Sequence, residues 1–195
     1  MRTPSSTVGA ILLTGGSSRR MGRDKATLVI AGSTLAERTA TLLRASVDVA
    51  VEVGPGVSGL SWTTEDPQGA GPLAAIAAGR RALMEQRHEG PALVIACDLP
   101  LLTSRLLSFL VDYDAVGSVV PVVHGEPQPL CAKWAPHDLD GAAALVSAGV
   151  RSLRHLTSQP DVVLLDESAW GGVIGEREFS DVDSPDDLQR FGLES

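Results

Sequence analysis

Short apolar runs alternate along this chain with stretches whose apolar residues recur at helical spacing, and that alternation limits the fold more than any other feature. Residues 8–13 (VGAILL) form a continuous apolar run closed by Thr14-Gly15-Gly16. Such a run, bounded by turn residues, reads as a buried strand of a parallel sheet. Ser33 or Thr34 then caps a helix: Glu37 stands three positions after Thr34, as a capping box requires, and Leu35, Leu42 and Leu43 share a face. The rhythm repeats with strands at 47–53 and 60–64, a helix from Pro72 to about residue 87, a strand at 92–96 and a helix capped at Thr103 or Ser104. Strands at 116–122 and 129–134 flank the turn 124–127, a hairpin-like excursion over the substrate side. Helices at 138–148 and 152–156, a strand at 162–165, a short strand near 179–182 and a helix from Ser184 complete the pattern. This order predicts an α/β fold: a Rossmann-like three-layer αβα sandwich around a mostly parallel sheet. Ligands of such sheets gather at the carboxyl ends of the strands.

A chain of 195 residues that is 44% hydrophobic suffices for one domain, taken as 1–195 with 1–6 as a disordered tail. Its net charge of −8 argues against a nucleic-acid or membrane-surface partner, both of which select excess Lys and Arg. Cys97 and Cys131 lie far apart without metal-ligand spacing, so neither a disulfide framework nor a zinc site is indicated. No apolar run reaches the roughly 18 residues of a spanning helix, and MRTPSST lacks a signal-type apolar core. A cytoplasmic protein that works as a monomer is expected.

Against that acidic background, Arg19, Arg20, Arg23 and Lys25 crowd into seven positions just after Gly15-Gly16. Glycine lets backbone N–H groups approach a ligand, and successive N–H groups in a turn form an anion-binding nest. The spacing fits neither a Walker A loop nor a dinucleotide fingerprint, because Gly22 is followed by Arg23-Asp24 and Gly15-Gly16-Ser17 lacks the G-x-G step. Lys25 and Arg19 are the candidates to stabilise transferring phosphates, lysine as a point charge and arginine as a bidentate fork. Asp24 positions its neighbour, and Arg20 and Arg23 belong to a solvated loop. Asp98 directly follows the apolar run ALVIAC, where an uncompensated charge is expensive. Thr103 and Ser104 are better helix caps than Asp98, which leaves its carboxylate for Mg²⁺, a cation that uses one or two protein carboxylates plus substrate phosphates and waters. Asp181-Val182-Asp183 is a second acidic pair, of which strand geometry lets at most one member face a site. The four histidines show no ligand spacing. Arg151 and Arg154 either hold an acceptor's phosphate or lie on a solvated helix face.

Taken together, L-T-G-G-x-x-x-R-M-G-x-D-K at 13–25, G-P-L-A at 71–74, C-D-x-P at 97–100 and D-V-D-S-P at 181–185 resemble, in order, the motifs of nucleotidyltransferases of the molybdenum cofactor guanylyltransferase (MobA-like) group. The resemblance implies a nucleotidyltransferase fold of the glycosyltransferase-A-like type. It implies transfer of GMP from GTP to molybdenum-bearing molybdopterin, with Mg²⁺ or Mn²⁺, giving a guanine dinucleotide cofactor and pyrophosphate. Leu13, Thr14, Gly15, Gly16, Lys25, Asp66, Gly71 and Asp98 would then contact the nucleotide, with Lys25 and Asp98 catalytic and Asp98 and Asp183 on the metal; Arg19 joins the catalytic set from the cation cluster rather than from the motif. Partners would be GTP, molybdopterin and, transiently, the proteins that insert molybdenum and receive the cofactor. The alternatives are a cytidylyltransferase or other nucleotidyltransferase of the same group, or a nucleotide-binding regulator without turnover. Gly15-Gly16 is typical of guanine-specific members. Three departures from the family pattern stand out. Glu52 occupies the place of an asparagine that contacts base or ribose. Ala75 replaces a glycine. Asp181 and Asp183 replace two asparagines, which makes Asp183 a second metal ligand or shifts the preference for metal or acceptor.

Overall fold

Every residue of β1 (Gly9–Leu13) is buried, the mark of a strand covered on both faces. The computed structural model describes residues 7–15, 25–183 and 185–193. The expected tail 1–6, Gly16, Arg19, Arg20, Arg23, Asp24 and the helix-start position Ser184 lie outside the described residues. After β1 come a 3₁₀ turn (Lys25–Thr27), β2 (Val29–Ile30), β3 (Ser33–Thr34), α1 (Leu35–Ser46), β4 (Val49–Val53), β5 (Ser61–Thr63) and α2 (Pro72–Glu85). These are followed by β6 (Ala92–Ala96), α3 (Ser104–Asp112), β7 (Val119–Val123), β8 (Glu126–Pro127), β9 (Cys131–Trp134) and α4 (Pro136–Ser147). The chain closes with α5 (Arg154–Thr157), β10 (Val163–Leu165), α6 (Glu167–Trp170), a second 3₁₀ turn (Glu176–Phe179) and α7 (Pro185–Phe191).

Among the described residues, eight strands make one sheet in the order β10-β7-β9-β6-β1-β4-β5, with β8 paired to β7. β6, β1, β4 and β5 run parallel, whereas β9 is antiparallel to both β6 and β7. The side chains of β1 alternate between two cores. Ala10 and Leu12 pack in the layer that holds Ala36, Ala40 and Leu43 of α1 and Leu106, Leu107 and Leu110 of α3. Ile11 and Leu13 pack with Leu73, Ile76 and Leu83 of α2 and Leu139 and Ala142 of α4. The period of two along the strand thus splits the apolar residues between the two helical layers. Each fully buried Leu or Ile contributes about 1.5–3 kcal/mol relative to exposure. Gly79 allows α2 to lie close on β1, since a Cβ there would stand 2.4 Å from Ile11 Cγ2.

Local chemistry accounts for most element starts. Thr34 is the cap of α1: its Oγ1 accepts from Glu37 N at 3.1 Å while Glu37 Oε2 accepts from Thr34 N at 2.8 Å. Thr103 caps α3 by accepting from Leu106 N at 3.2 Å.

Several expectations need correction. The region 116–134 is no excursion over the substrate side: β7 and β9 are sheet strands, with β9 wedged between β6 and β7 and only β8 folding back on β7. The strand expected near 179–182 is absent; a 3₁₀ turn ends at Phe179, and the next residues are fixed by Val182 N donating to Asp98 O at 3.0 Å rather than by a strand partner. The helix expected from 138 starts at Pro136, since proline suits the first turn. No helix among the described residues is long and apolar enough to cross a membrane.

Candidate active site

Register brings the polar groups to one edge. Leu13 pairs with both Val53 and Ala96, and Val53 pairs with Thr63, so β1, β4, β5 and β6 end side by side. The loops that begin at Thr14, Gly54, Thr64 and Cys97 therefore leave the sheet together, and Cys97 N donates back to Leu13 O at 3.0 Å. The chain leaves β1 for β4 on one side, whereas β6 lies on the other, so this edge is where the connections diverge and a crevice opens.

At this edge Lys25 meets two carboxylates. Its Nζ lies 2.5 Å from Asp183 Oδ1 and 3.5 Å from Asp98 Oδ2. Asp98 comes from the turn after β6, and Asp183 arrives from 85 residues later because the intervening chain is anchored step by step. Trp170 is buried and donates from Nε1 to Leu165 O at 3.2 Å. Phe179 packs against it with rings tilted by 56° at a centroid distance of 5.2 Å, Thr103 Oγ1 donates to the Glu178 carboxylate, and Val182 N donates to Asp98 O. Burial pushes the Asp98 carboxyl above its ordinary value, and the negative charge of Asp181 adds to that; Lys25 opposes without reversing it. Burial works against the Lys25 charge, but the hydrogen bond to Asp183 and the charges of Asp98 and Asp183 outweigh it and hold the ammonium above its usual range. Among the described residues, the site thus gathers more negative charge than one lysine compensates.

That surplus suits a cation. Asp98 and Asp183 both reach one atom, Lys25 Nζ, and offer hard oxygen donors, which fits Mg²⁺ or Mn²⁺ completed by substrate phosphates and water. No cluster of three or more Asp, Glu, His or Cys that could hold a metal occurs among the described residues, so a metal here would depend on those added ligands.

The remaining expected contacts spread along the same edge. Leu13 ends β1. Thr14 and Gly15 follow, and both amides donate to Val53 O, at 3.0 and 3.3 Å. Gly71 adopts a positive φ of 101° and delivers the chain into α2. Asp66 is exposed in the loop after β5. Three strand spacings separate β5 from β6, about 14 Å, so Asp66 and Asp98 bracket the edge rather than touch.

Glu52 takes no ligand-facing position. It is fully buried beneath Thr14 and the turn 56–58, so the base or ribose contact of its family counterpart does not carry over to its side chain. Ala75, 9% exposed, is packed within the α2 core.

Beside Asp98 opens a cleft of about 360 Å³, lined by Gln128, Pro129, Leu130, Cys131, Leu153, Phe179 and Asp181. Sequence reasoning missed Gln128, Pro129 and Leu153, because no motif marks loops that meet only through the antiparallel insertion of β9. Arg151 and Arg154 are exposed on either side of Leu153. Burial raises the Cys131 thiol to about 12, which removes it as a nucleophile near neutral pH.

A family profile, the MobA-like NTP transferase domain, matches residues 10–163. The chain belongs to the MobA-like NTP transferase family. A probable molybdenum cofactor guanylyltransferase of Mycobacterium avium is 33% identical over 174 residues, covering 84% of this chain and 88% of that one. Among solved structures, molybdopterin-guanine dinucleotide biosynthesis protein A of Archaeoglobus fulgidus superposes with a TM-score of 0.69 at 22% identity, covering 94% of this chain and 96% of that one. A 2-C-methyl-D-erythritol 4-phosphate cytidylyltransferase of Thermus thermophilus superposes at 0.63 with 18% identity, covering 93% and 95%. Both of these structures share the fold of this chain. Within the family, the matched span contains the β1 turn, Lys25, the α2 start and Asp98, but ends before Asp183.

Proposed function

We propose that the chain transfers GMP from GTP to the terminal phosphate of molybdenum-bearing molybdopterin, releasing pyrophosphate and forming the guanine dinucleotide cofactor. The observation that carries this reading is the meeting of Lys25 with Asp98 and Asp183 at the sheet edge, next to the cleft. The 33% identity to a probable guanylyltransferase supports the choice of base and acceptor, as does Gly15-Gly16.

In this reading the nucleotide lies along the edge from Asp66 toward Asp98, over the chain of Leu13, Thr14 and Gly15 and the start of α2 at Gly71, and Gly16 is a further contact. Lys25 neutralises phosphate charge, and Arg19, six positions before it in sequence, adds a second cation. Asp98 and Asp183 would hold Mg²⁺, which when bound withdraws charge from the phosphates. The acceptor occupies the cleft, with its phosphate turned toward Asp98 and Arg151 or Arg154 beside its mouth. The acceptor phosphate is itself the nucleophile, so the chain's work is positioning and charge neutralisation.

The test is to supply purified protein with molybdenum-loaded molybdopterin, Mg²⁺ and each of GTP, CTP, ATP and UTP, and to weigh the product. A guanine dinucleotide made only with GTP is expected. A cytosine dinucleotide, or turnover only with a sugar phosphate, would overturn the assignment.

A further inference from the structure

Glu52 is a carboxylate with no access to solvent, at the last position but one of β4 and in register with Leu12. Burying an ionised carboxylate is costly unless its oxygens are satisfied. Here they are saturated. Glu52 Oε1 accepts from Thr14 Oγ1 at 2.6 Å, Gly56 N at 2.8 Å and Val57 N at 3.0 Å, and Oε2 accepts from Ser58 N at 2.8 Å and Ser58 Oγ at 2.5 Å. Burial would raise its pKa, but the bonds from Ser58, Thr14 and Val57 overcome this and hold the group ionised below its ordinary range.

The partners explain the placement. Thr14 is the first residue after β1, and residues 56–58 form the turn after β4, so one carboxylate pins the exits of two neighbouring strands. The junction has no slack: a Cβ on Gly54, whose φ is 151°, would stand 2.2 Å from Thr14 Oγ1 and 2.7 Å from Gly15 N. Any shift of Glu52 must therefore move Thr14 and Gly15, and with them the start of the chain that leads to Lys25.

We propose that Glu52 is a positioning residue for nucleotide binding, acting through the Thr14 hydroxyl to fix the backbone at Thr14 and Gly15 without touching the nucleotide. This rests on the nucleotide site placed there by the proposed function. Glu52→Gln presents an amide N–H₂ to a ring of donors, and Thr14→Val deletes one of them while keeping the shape.

The experiment is GTP binding by calorimetry, together with steady-state kinetics, for wild type, Glu52→Gln, Thr14→Val, Thr14→Ser and the Glu52→Gln/Thr14→Val pair. Glu52→Gln and Thr14→Val should each weaken GTP binding by about tenfold, the scale of one lost charge-assisted hydrogen bond, and raise KM with kcat within about threefold. Thr14→Ser should restore wild-type affinity, and the pair should be no worse than Glu52→Gln alone. A merely structural role would lower Tm without this split or the serine rescue. If Glu52→Gln does not fold, Thr14→Val against Thr14→Ser decides alone. Unchanged GTP affinity in folded Thr14→Val overturns the proposal. A wild type that binds CTP instead of GTP overturns the substrate assignment, and the same variants scored with CTP then decide the role of Glu52.

Discussion

Replacing Lys25 by methionine should make the nucleotide-free protein bind Mn²⁺ more tightly while making it a worse enzyme. The Lys25 ammonium stands where a cation shared by Asp98 and Asp183 would stand, 3.5 and 2.5 Å from their oxygens. Two unit charges 3.5 Å apart attract by roughly 5 kcal/mol at an effective dielectric of about 20, but that gross figure shrinks here. The Asp183 side chain is 57% exposed, so its share falls to the fraction of a kcal/mol typical of surface pairs. Asp98, 27% exposed, keeps more. A net competition of roughly 1–2 kcal/mol corresponds to about 5- to 30-fold in affinity. Methionine keeps much of the stem's volume, so the site should keep its shape. Titration of Mn²⁺ without nucleotide, followed by electron paramagnetic resonance, measures the effect directly. Turnover should move the opposite way, falling by ~10²-fold or more as a preorganised electrostatic contact to phosphate is lost. Equal or weaker Mn²⁺ binding by Lys25→Met would refute the view that Lys25 is the resting counter-ion of these carboxylates.

Asp98→Asn should abolish Mg²⁺-dependent pyrophosphate release. Because the folded protein raises the Asp98 carboxyl above its ordinary value, the ionised form is disfavoured by folding, and that cost appears as pH rises through the folded value. Asp98→Asn should therefore leave Tm unchanged or higher near neutral pH, and a lowered Tm by calorimetry would contradict this. Glu52 carries the opposite sign: its depressed value contributes stability that is complete above about 4.5 and is lost as pH falls through the folded value. A Glu52→Gln variant should accordingly lose less stability than wild type between about pH 7 and about pH 3, as read from Tm against pH. Lys133→Ala tests the frame alone. The Lys133 ammonium, nearly buried, donates to Tyr113 O at 2.5 Å and Val111 O at 3.3 Å at the end of α3. Its removal should cost about 1–3 kcal/mol in urea unfolding by stranding those carbonyls.

The order of strands and helices was legible because apolar runs and caps are local signals. Thr34, Glu37, Pro72 and Thr103 mark their helix starts in any context. The insertion of β9 between β6 and β7 was not legible, since antiparallel pairing depends on partners far along the chain. The site divides in the same way. Lys25 and Asp98 follow recognisable turns and could be named from motifs, whereas the cleft walls Gln128 and Leu153 carry no pattern. Glu52 stood out as a departure from the family pattern, but only its five hydrogen bonds, from Thr14, Gly56, Val57 and Ser58, reveal that a buried anchor stands there.

The most direct test of the central claim follows a phosphorus label. With α-labelled GTP, Mg²⁺ and molybdenum-loaded molybdopterin, the label should enter the pterin product as one GMP for each pyrophosphate released, and Asp98→Asn should transfer none. Label recovered only as free GMP, or absent from the pterin product while pyrophosphate is released, would contradict transfer to that acceptor.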